Sequence, residues 1–172
     1  LLVWTTTPWT LLSNVALAVH PEAEYVKVKL NGEYLILATE RLQDTFGEKN
    51  YKIVERFKAS DKLVNQEYIP LFKFSEPEQK AWYVVPADFV SLEDGTGIVH
   101  IAPAFGKEDF QLGKEHNLPV LQFIDQEGKV KPEVKPFAGL HFKEADKPIL
   151  DDLKQRNILF KLGTIVHTYP FC

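Results

Sequence analysis

The sequence predicts a mainly β, α+β domain with several short peripheral helices. Three observations carry that prediction: short apolar segments rich in β-branched residues, an Asn31-Gly32 pair set between two alternating runs, and only two longer stretches with helical spacing. Residues 1–6 read as a strand stopped by Pro8, which has no amide hydrogen for a ladder, so the strand delivers its threonines to an edge. Tyr25-Val26-Lys27-Val28-Lys29-Leu30 and Glu33-Tyr34-Leu35-Ile36-Leu37 form a hairpin, because Asn-Gly supplies the positive φ angles of a two-residue turn. A short helix over 40–46, a strand over 51–57 and a helical turn from Ser60 follow. Residues 65–80, with Pro70 and Pro77 among mixed polar and aromatic side chains, read as an irregular surface excursion.

Residues 81–86 and 97–102 are apolar and β-branched and read as core strands, with the turn at 92–97 between them. A helix is expected over 107–117, with Phe110 and Leu112 on its apolar side and Asp109 in its first turn. Segments 120–124 and 129–134 flank Asp125-Gln126-Glu127-Gly128 as a hairpin with a longer loop. Asp146 caps the last helix, Pro148 sits in its first turn, and Ile149, Leu150 and Leu153 make its buried stripe. Asn157 ends that helix, and 158–167 returns as a strand that pairs with the first.

A length of 172 residues fits one domain with a real core, spanning 1–172. The chain contains no methionine and has an apolar start and an aromatic finish, which leads us to expect an excised insertion of a larger protein. The net charge of -4 argues against a non-specific nucleic-acid binder, so any RNA contact is expected to be local. The single cysteine cannot form an internal disulfide, and the sequence contains neither a signal peptide nor an apolar run of membrane-spanning length. A reducing, soluble, cytoplasmic setting is the expectation.

Side chains capable of chemistry narrow the reaction class. None of the five histidines lies in a serine or cysteine nucleophile motif, and Cys172 is terminal. His20, His116, His141 and His167 lack the paired spacing of metal ligands, so neither a metal nor an organic cofactor is expected. Gly95-Thr96-Gly97 lacks the further glycine of a phosphate loop and precedes a strand, where such loops follow one. What remains is hydrolysis of an already activated bond by a positioned water, which needs orientation and oxyanion stabilisation and no protein nucleophile.

Two segments stand out: Trp4-Thr5-Thr6-Thr7-Pro8-Trp9-Thr10, and Gly95-Thr96-Gly97-Ile98-Val99-His100-Ile101-Ala102-Pro103-Ala104-Phe105-Gly106-Lys107-Glu108-Asp109. On composition alone the first is an ordinary strand with solvent-facing threonines. Together the two resemble the editing domain of class I aminoacyl-tRNA synthetases, most closely the isoleucyl member. In that family the threonine-rich strand and the glycine-rich loop ending in aspartate face each other across a hydrolytic pocket. In the valyl and leucyl relatives the third threonine is typically an arginine, and the valyl relative usually has lysine at the position of His100, so Thr7 and His100 favour the isoleucyl type. The closing His167-Thr168-Tyr169-Pro170-Phe171-Cys172 is similar to the point where such an insert rejoins its synthetase.

The resemblance implies a closed β-barrel-like sheet and a monomer within a parent synthetase, bound to the 3′ end of tRNA(Ile) carrying valine. Its expected reaction is hydrolysis of valyl-tRNA(Ile), with valyl-adenylate as a second candidate substrate. It also implies that Thr5, Thr6 and Thr7 line the catalytic site, that Trp9 walls it, and that Asn14 lies near the terminal adenosine. Asp109, held ionised by a helix terminus, suits the substrate's α-ammonium. His100, on composition alone an ordinary core or rim histidine, becomes a rigid wall that excludes isoleucine. Two rivals stand beside this reading: a non-catalytic module that docks the tRNA 3′ end, and a valyl-type domain that clears threonine. ATP use would belong to the parent, since neither His-Ile-Gly-His nor Lys-Met-Ser-Lys-Ser occurs.

Overall fold

The computed structural model describes residues 1–163. A 3-10 helix, Pro8–Ser13, precedes β1 (Ala16–Val19), β2 (Glu24–Leu30) and β3 (Glu33–Ala38); a second, Thr39–Arg41, leads into α1 (Leu42–Phe46). Then come β4 (Lys52–Lys58), α2 (Ala59–Lys62), β5 (Tyr83–Pro86), β6 (Ile98–Ile101), α3 (Lys107–Glu115) and α4 (Phe142–Gln155). The strands make two three-stranded sheets, ordered β5-β1-β6 and β3-β2-β4. β1 runs parallel to β5 and antiparallel to β6, with Leu17 opposite both Val84 and His100. Every residue of β1 is buried, as a central strand covered on both faces requires.

The hairpin β2-β3 turns at Asn31 and Gly32, with φ of 50° and 91°. Those are the two left-handed positions its turn demands, and Gly32 adopts its angle without steric cost. Val26, Val28 and Leu30 of β2 are buried on one face; Tyr25 is buried on the other, the face along which Lys27 and Lys29 follow.

The N-terminal segment ties the sheets together. Leu2 N–H donates to Ile36 O at 2.9 Å and Trp4 N–H to Ile98 O at 2.9 Å, while the Thr96 hydroxyl donates to Leu2 O at 2.7 Å. Ala38 N–H, at the end of β3, donates to Thr96 O at 2.9 Å. The resemblance implied a closed barrel; among the described residues the strands make two three-stranded ladders joined by these bonds.

Several expected elements change form for identifiable reasons. The first strand reduces to one bridge between Trp4 and Val99, because the Thr5 hydroxyl accepts Thr7 N–H at 3.1 Å and bends the chain before Pro8. The hairpin expected over 120–134 reduces to a bridge between Ile124 and Val130, its turn held by the Asp125 carboxylate accepting Glu127 N–H and Lys129 N–H. Phe110 is 43% exposed beneath the Lys114 ammonium, leaving Leu112 to bury α3. The last helix begins at Phe142, capped by His141 rather than Asp146, so Pro148 sits within the helix and not in its first turn. Ile149 and Leu153 are buried as expected, and Leu150 only partly. Residues 158–163 are not in a strand, and the remainder of that expected strand, with His167 and the closing segment, lies outside the described residues.

Candidate active site

The 3-10 helix after Thr7 and the loop after β6 meet at one end of the β5-β1-β6 sheet. The Thr10 hydroxyl donates to Thr7 O at 2.7 Å, and its oxygen lies 3.0 Å from His100 Nε2. A hydroxyl has one proton, and here it goes to Thr7, so His100 must be the donor in the second contact. This arrangement puts a proton on His100 Nε2, while Nδ1 is buried without a partner among the described residues. Burial pushes the His100 pKa down to about 4, as expected where desolvation penalises the charged ring.

The sign of that shift fixes a stability prediction. An unfolded histidine titrates near 6.5 and the folded one near 4, so His100 favours folding when neutral, and that contribution is lost as pH falls from about 6.5 toward about 4. Unfolding melts through this window should fall more steeply for the unmodified chain than for His100→Gln. Parallel curves for the two proteins would show that the ring is not held neutral.

Two residues beyond His100, Ala102 N–H donates to the Asp109 Oδ2 at 2.7 Å. Asp109 is the third residue of α3, and Gly106 caps that helix where a Cβ would come within 2.8 Å of the Asp109 carboxyl carbon. Glycine thus leaves the carboxylate room to fold back on the loop. The helix terminus was expected to hold Asp109 firmly ionised, but burial is the larger influence and pushes its pKa up. The Ala102 bond partly offsets that rise, and the nearby Glu108 charge adds to it.

Trp9 lies beside Thr10 in the 3-10 helix. Its ring packs on Phe105 at 4.7 Å and on Phe142 at 5.0 Å between centroids, and its backbone N–H donates to Asp146 Oδ1 at 2.9 Å, fixing the turn to α4. Thr6 is exposed, with its hydroxyl 3.4 Å from that of Thr7, while Thr5 and Thr7 are half-buried. Hydrogen bonds thus link Thr5, Thr7, Thr10 and His100, while Asp109 is fastened to Ala102, two residues beyond His100, and Trp9 adjoins Thr10 in the 3-10 helix.

Asn14 lies differently. It is 7% exposed, and its amide donates to Ala16 O at 2.8 Å and accepts the Tyr68 hydroxyl at 2.6 Å. Trp82 donates its indole N–H to Asn14 O at 3.1 Å, so this residue clips the 65–82 excursion to the start of β1. Sequence reasoning missed Thr10, which orients His100, along with Phe105, Phe142 and Tyr68. Only Thr10 and Phe105 lay within the two conspicuous segments. Among the described residues no cluster of histidine, cysteine and carboxylate groups could hold a metal, and no helix is long and apolar enough to cross a membrane.

No family model matches the chain. The isoleucine–tRNA ligase of Clostridium acetobutylicum is 51% identical over 172 residues, all of this chain and 16% of that protein. The isoleucine–tRNA ligase of Chlamydia trachomatis is 47% identical over 177 residues, covering 100% of this chain and 17% of its own length. The chain therefore spans about a sixth of the relatives it matches. The crystal structure of GlLeuRS-CP1 superposes with a TM-score of 0.72 at 17% identity, over 98% of this chain and 83% of that one. The P. falciparum cytosolic leucyl-tRNA synthetase editing domain superposes with a TM-score of 0.66 at 12% identity, over 90% of this chain and 75% of that one. The chain is thus about half-identical to isoleucine–tRNA ligases along its whole length and has the fold of CP1 editing domains.

Proposed function

We propose that this domain hydrolyses the ester of valyl-tRNA(Ile), and valyl-adenylate as a second substrate, as the proofreading part of an isoleucyl-tRNA synthetase. The observation that carries the proposal is the pairing of a neutral, hydrogen-bonded His100 with a carboxylate, Asp109, tied to the same strand end. In this reading Asp109 holds the α-ammonium of the bound aminoacyl group, which the structural exposure of a half-buried carboxylate permits. Thr5, Thr6 and Thr7 line the reacting ester and position the water, Trp9 walls the site, and no metal or organic cofactor takes part. Asn14 serves the adenosine end by holding the turn that carries it, since its side-chain amide is already engaged.

His100 acts by shape. A base with a pKa near 4 is a weak proton acceptor at neutral pH, so water activation falls to hydroxyls, backbone groups or the substrate ribose. A second sieve is needed because one methylene in an apolar pocket is worth only about 1–3 kcal/mol, a limit for which isoleucine against valine is the standard illustration. The partners in this reading are the 3′ end of tRNA(Ile) and the rest of the synthetase, with the domain a monomer in the cytoplasm.

The direct test is release of valine from valyl-tRNA(Ile) by this chain and by the full synthetase. Hydrolysis of valyl and not isoleucyl ester supports the proposal. Binding without hydrolysis in both proteins would leave a docking module, and preference for a threonyl ester would make it a valyl-type domain.

Thr6→Pro tests the placement of the threonine run. Thr6 is exposed, so a proline there should cost less than about 1 kcal/mol of stability. It forces Thr5 toward extended geometry and disturbs the bond from Thr7 N–H to the Thr5 hydroxyl. Valyl-ester hydrolysis should fall by about a hundredfold with an unchanged circular dichroism spectrum. Full activity, or loss only through unfolding, would remove the run from the site.

A further inference from the structure

The outer face of the β3-β2-β4 sheet carries three cations that its other charges leave unmatched. Arg56, Lys58 and Lys62, on β4 and α2, are each paired with a glutamate: Glu24, Glu22 and Glu55 respectively. Lys27, Lys29 and Lys52 form no such pair among the described residues. Glu55 stands opposite Lys27 in the register, but Lys62 takes its carboxylate. Lys29 stands directly opposite Lys52, a like-charged cross-strand pair that an isolated sheet does not favour.

On the other side of Lys29 from Lys52, in β3, stands Tyr34, 55% exposed. The Lys27 and Lys29 ammonium groups sit 4.7 Å and 5.5 Å from its ring centroid. Beside this face the segment 47–53 adds Lys49 and Tyr51 next to Lys52, with Glu48 as its only carboxylate. An exposed aromatic ring flanked by unpaired lysines matches RNA, which offers phosphates to the cations and a flat base or sugar face to the ring. None of these residues belongs to the Thr10–His100–Asp109 cluster.

We propose that Lys27, Lys29, Tyr34 and Lys52 form a second RNA contact that grips the phosphodiester backbone while the 3′ end occupies the candidate active site. The inference rests on tRNA being the partner named in the proposed function. A domain of net charge -4 can still hold a polyanion locally where cations without carboxylate partners share one sheet face.

The test compares binding of unacylated tRNA(Ile) by the unmodified chain and by a triple variant, Lys27→Gln, Lys29→Gln and Lys52→Gln, over a range of salt. The variant should bind about tenfold more weakly at low salt, with the salt slope reduced by about one per lysine lost. A triple Lys→Arg variant should keep both affinity and slope, which controls for folding. Hydrolysis of valine esterified to adenosine alone, which has no backbone to reach the patch, should be unchanged in the Gln variant. Unaltered tRNA affinity and slope in the Gln variant overturn the proposal. Loss of association with the rest of the synthetase supplied in trans, with tRNA binding intact, would assign the face to protein and overturn it equally. Failure of the unmodified chain to hydrolyse either ester would count against the editing reading alone, because the binding comparison needs no turnover.

Discussion

Asp109→Ala is expected to reduce valyl-tRNA(Ile) hydrolysis by about a hundredfold or more. Removing one partner of a charge-assisted contact commonly costs about 2–5 kcal/mol, and each 1.4 kcal/mol is a factor of ten. The loss should appear as weakened productive binding, because the ester would no longer be held beside the attacking water. A structural effect enters too, since Asp109 accepts Ala102 N–H at 2.7 Å and so shapes the loop after β6. Asp109→Asn separates the two: it keeps an acceptor oxygen for Ala102 but no charge for the ammonium. On the anchoring reading both variants lose activity; recovery in Asn would reduce Asp109 to a loop fastener. The pH profile gives a further check. Burial raises the Asp109 pKa, so the anion needed for anchoring should be lost on acidification at a higher pH than for an exposed aspartate.

The parts of the fold legible in the sequence were those set by local chemistry. Asn31-Gly32 specifies its own turn, and the flanking alternation assigns Val26, Val28 and Leu30 to the core without reference to the rest of the chain. β5 and β6 were visible as apolar runs, but nothing in them told that β1 would lie between them, parallel to one and antiparallel to the other. That arrangement depends on contacts remote in sequence, as do the few bonds by which Leu2 and Trp4 join the two sheets. The first strand was misread because periodicity takes no account of a threonine hydroxyl that competes for a backbone N–H. The last helix was started late because Asp146 and Pro148 imitate a helix beginning, whereas Asp146 in fact receives the Trp9 N–H from the opposite side of the site.

The candidate site was legible as residue types and not as geometry. The two segments that contain Thr5, Thr6, Thr7, His100 and Asp109 were conspicuous, yet the contact that joins them runs through Thr10, one hydroxyl shared between Thr7 and His100. Asn14 shows the converse. The resemblance put it near the adenosine, but the Tyr68 hydroxyl that occupies its amide comes from the excursion read only as irregular surface.

His100→Ala is expected to keep substantial valyl-ester hydrolysis and to gain hydrolysis of isoleucyl-tRNA(Ile), which the unmodified domain should spare. The ring is 8% exposed, and its hydrogen bond to Thr10 fixes its orientation, so it can reject a longer side chain by position instead of yielding. Trimming it to a methyl group leaves space in which the extra methylene of isoleucine fits, and the discrimination lost should approach the value of that methylene, about 1–3 kcal/mol or some 10- to 200-fold. The variant also leaves the Thr10 oxygen without its donor, so thermal melts must establish that it is folded. A general-base histidine predicts the reverse pattern, with valyl hydrolysis lost and nothing gained toward isoleucine. The downward pKa shift already disfavours that role, since such a base would hold a proton poorly at neutral pH. Measuring both esters on one preparation separates the two accounts, because only a steric gate couples retained activity on valine to new activity on isoleucine, and a folded variant inactive on both would remove His100 as the gate.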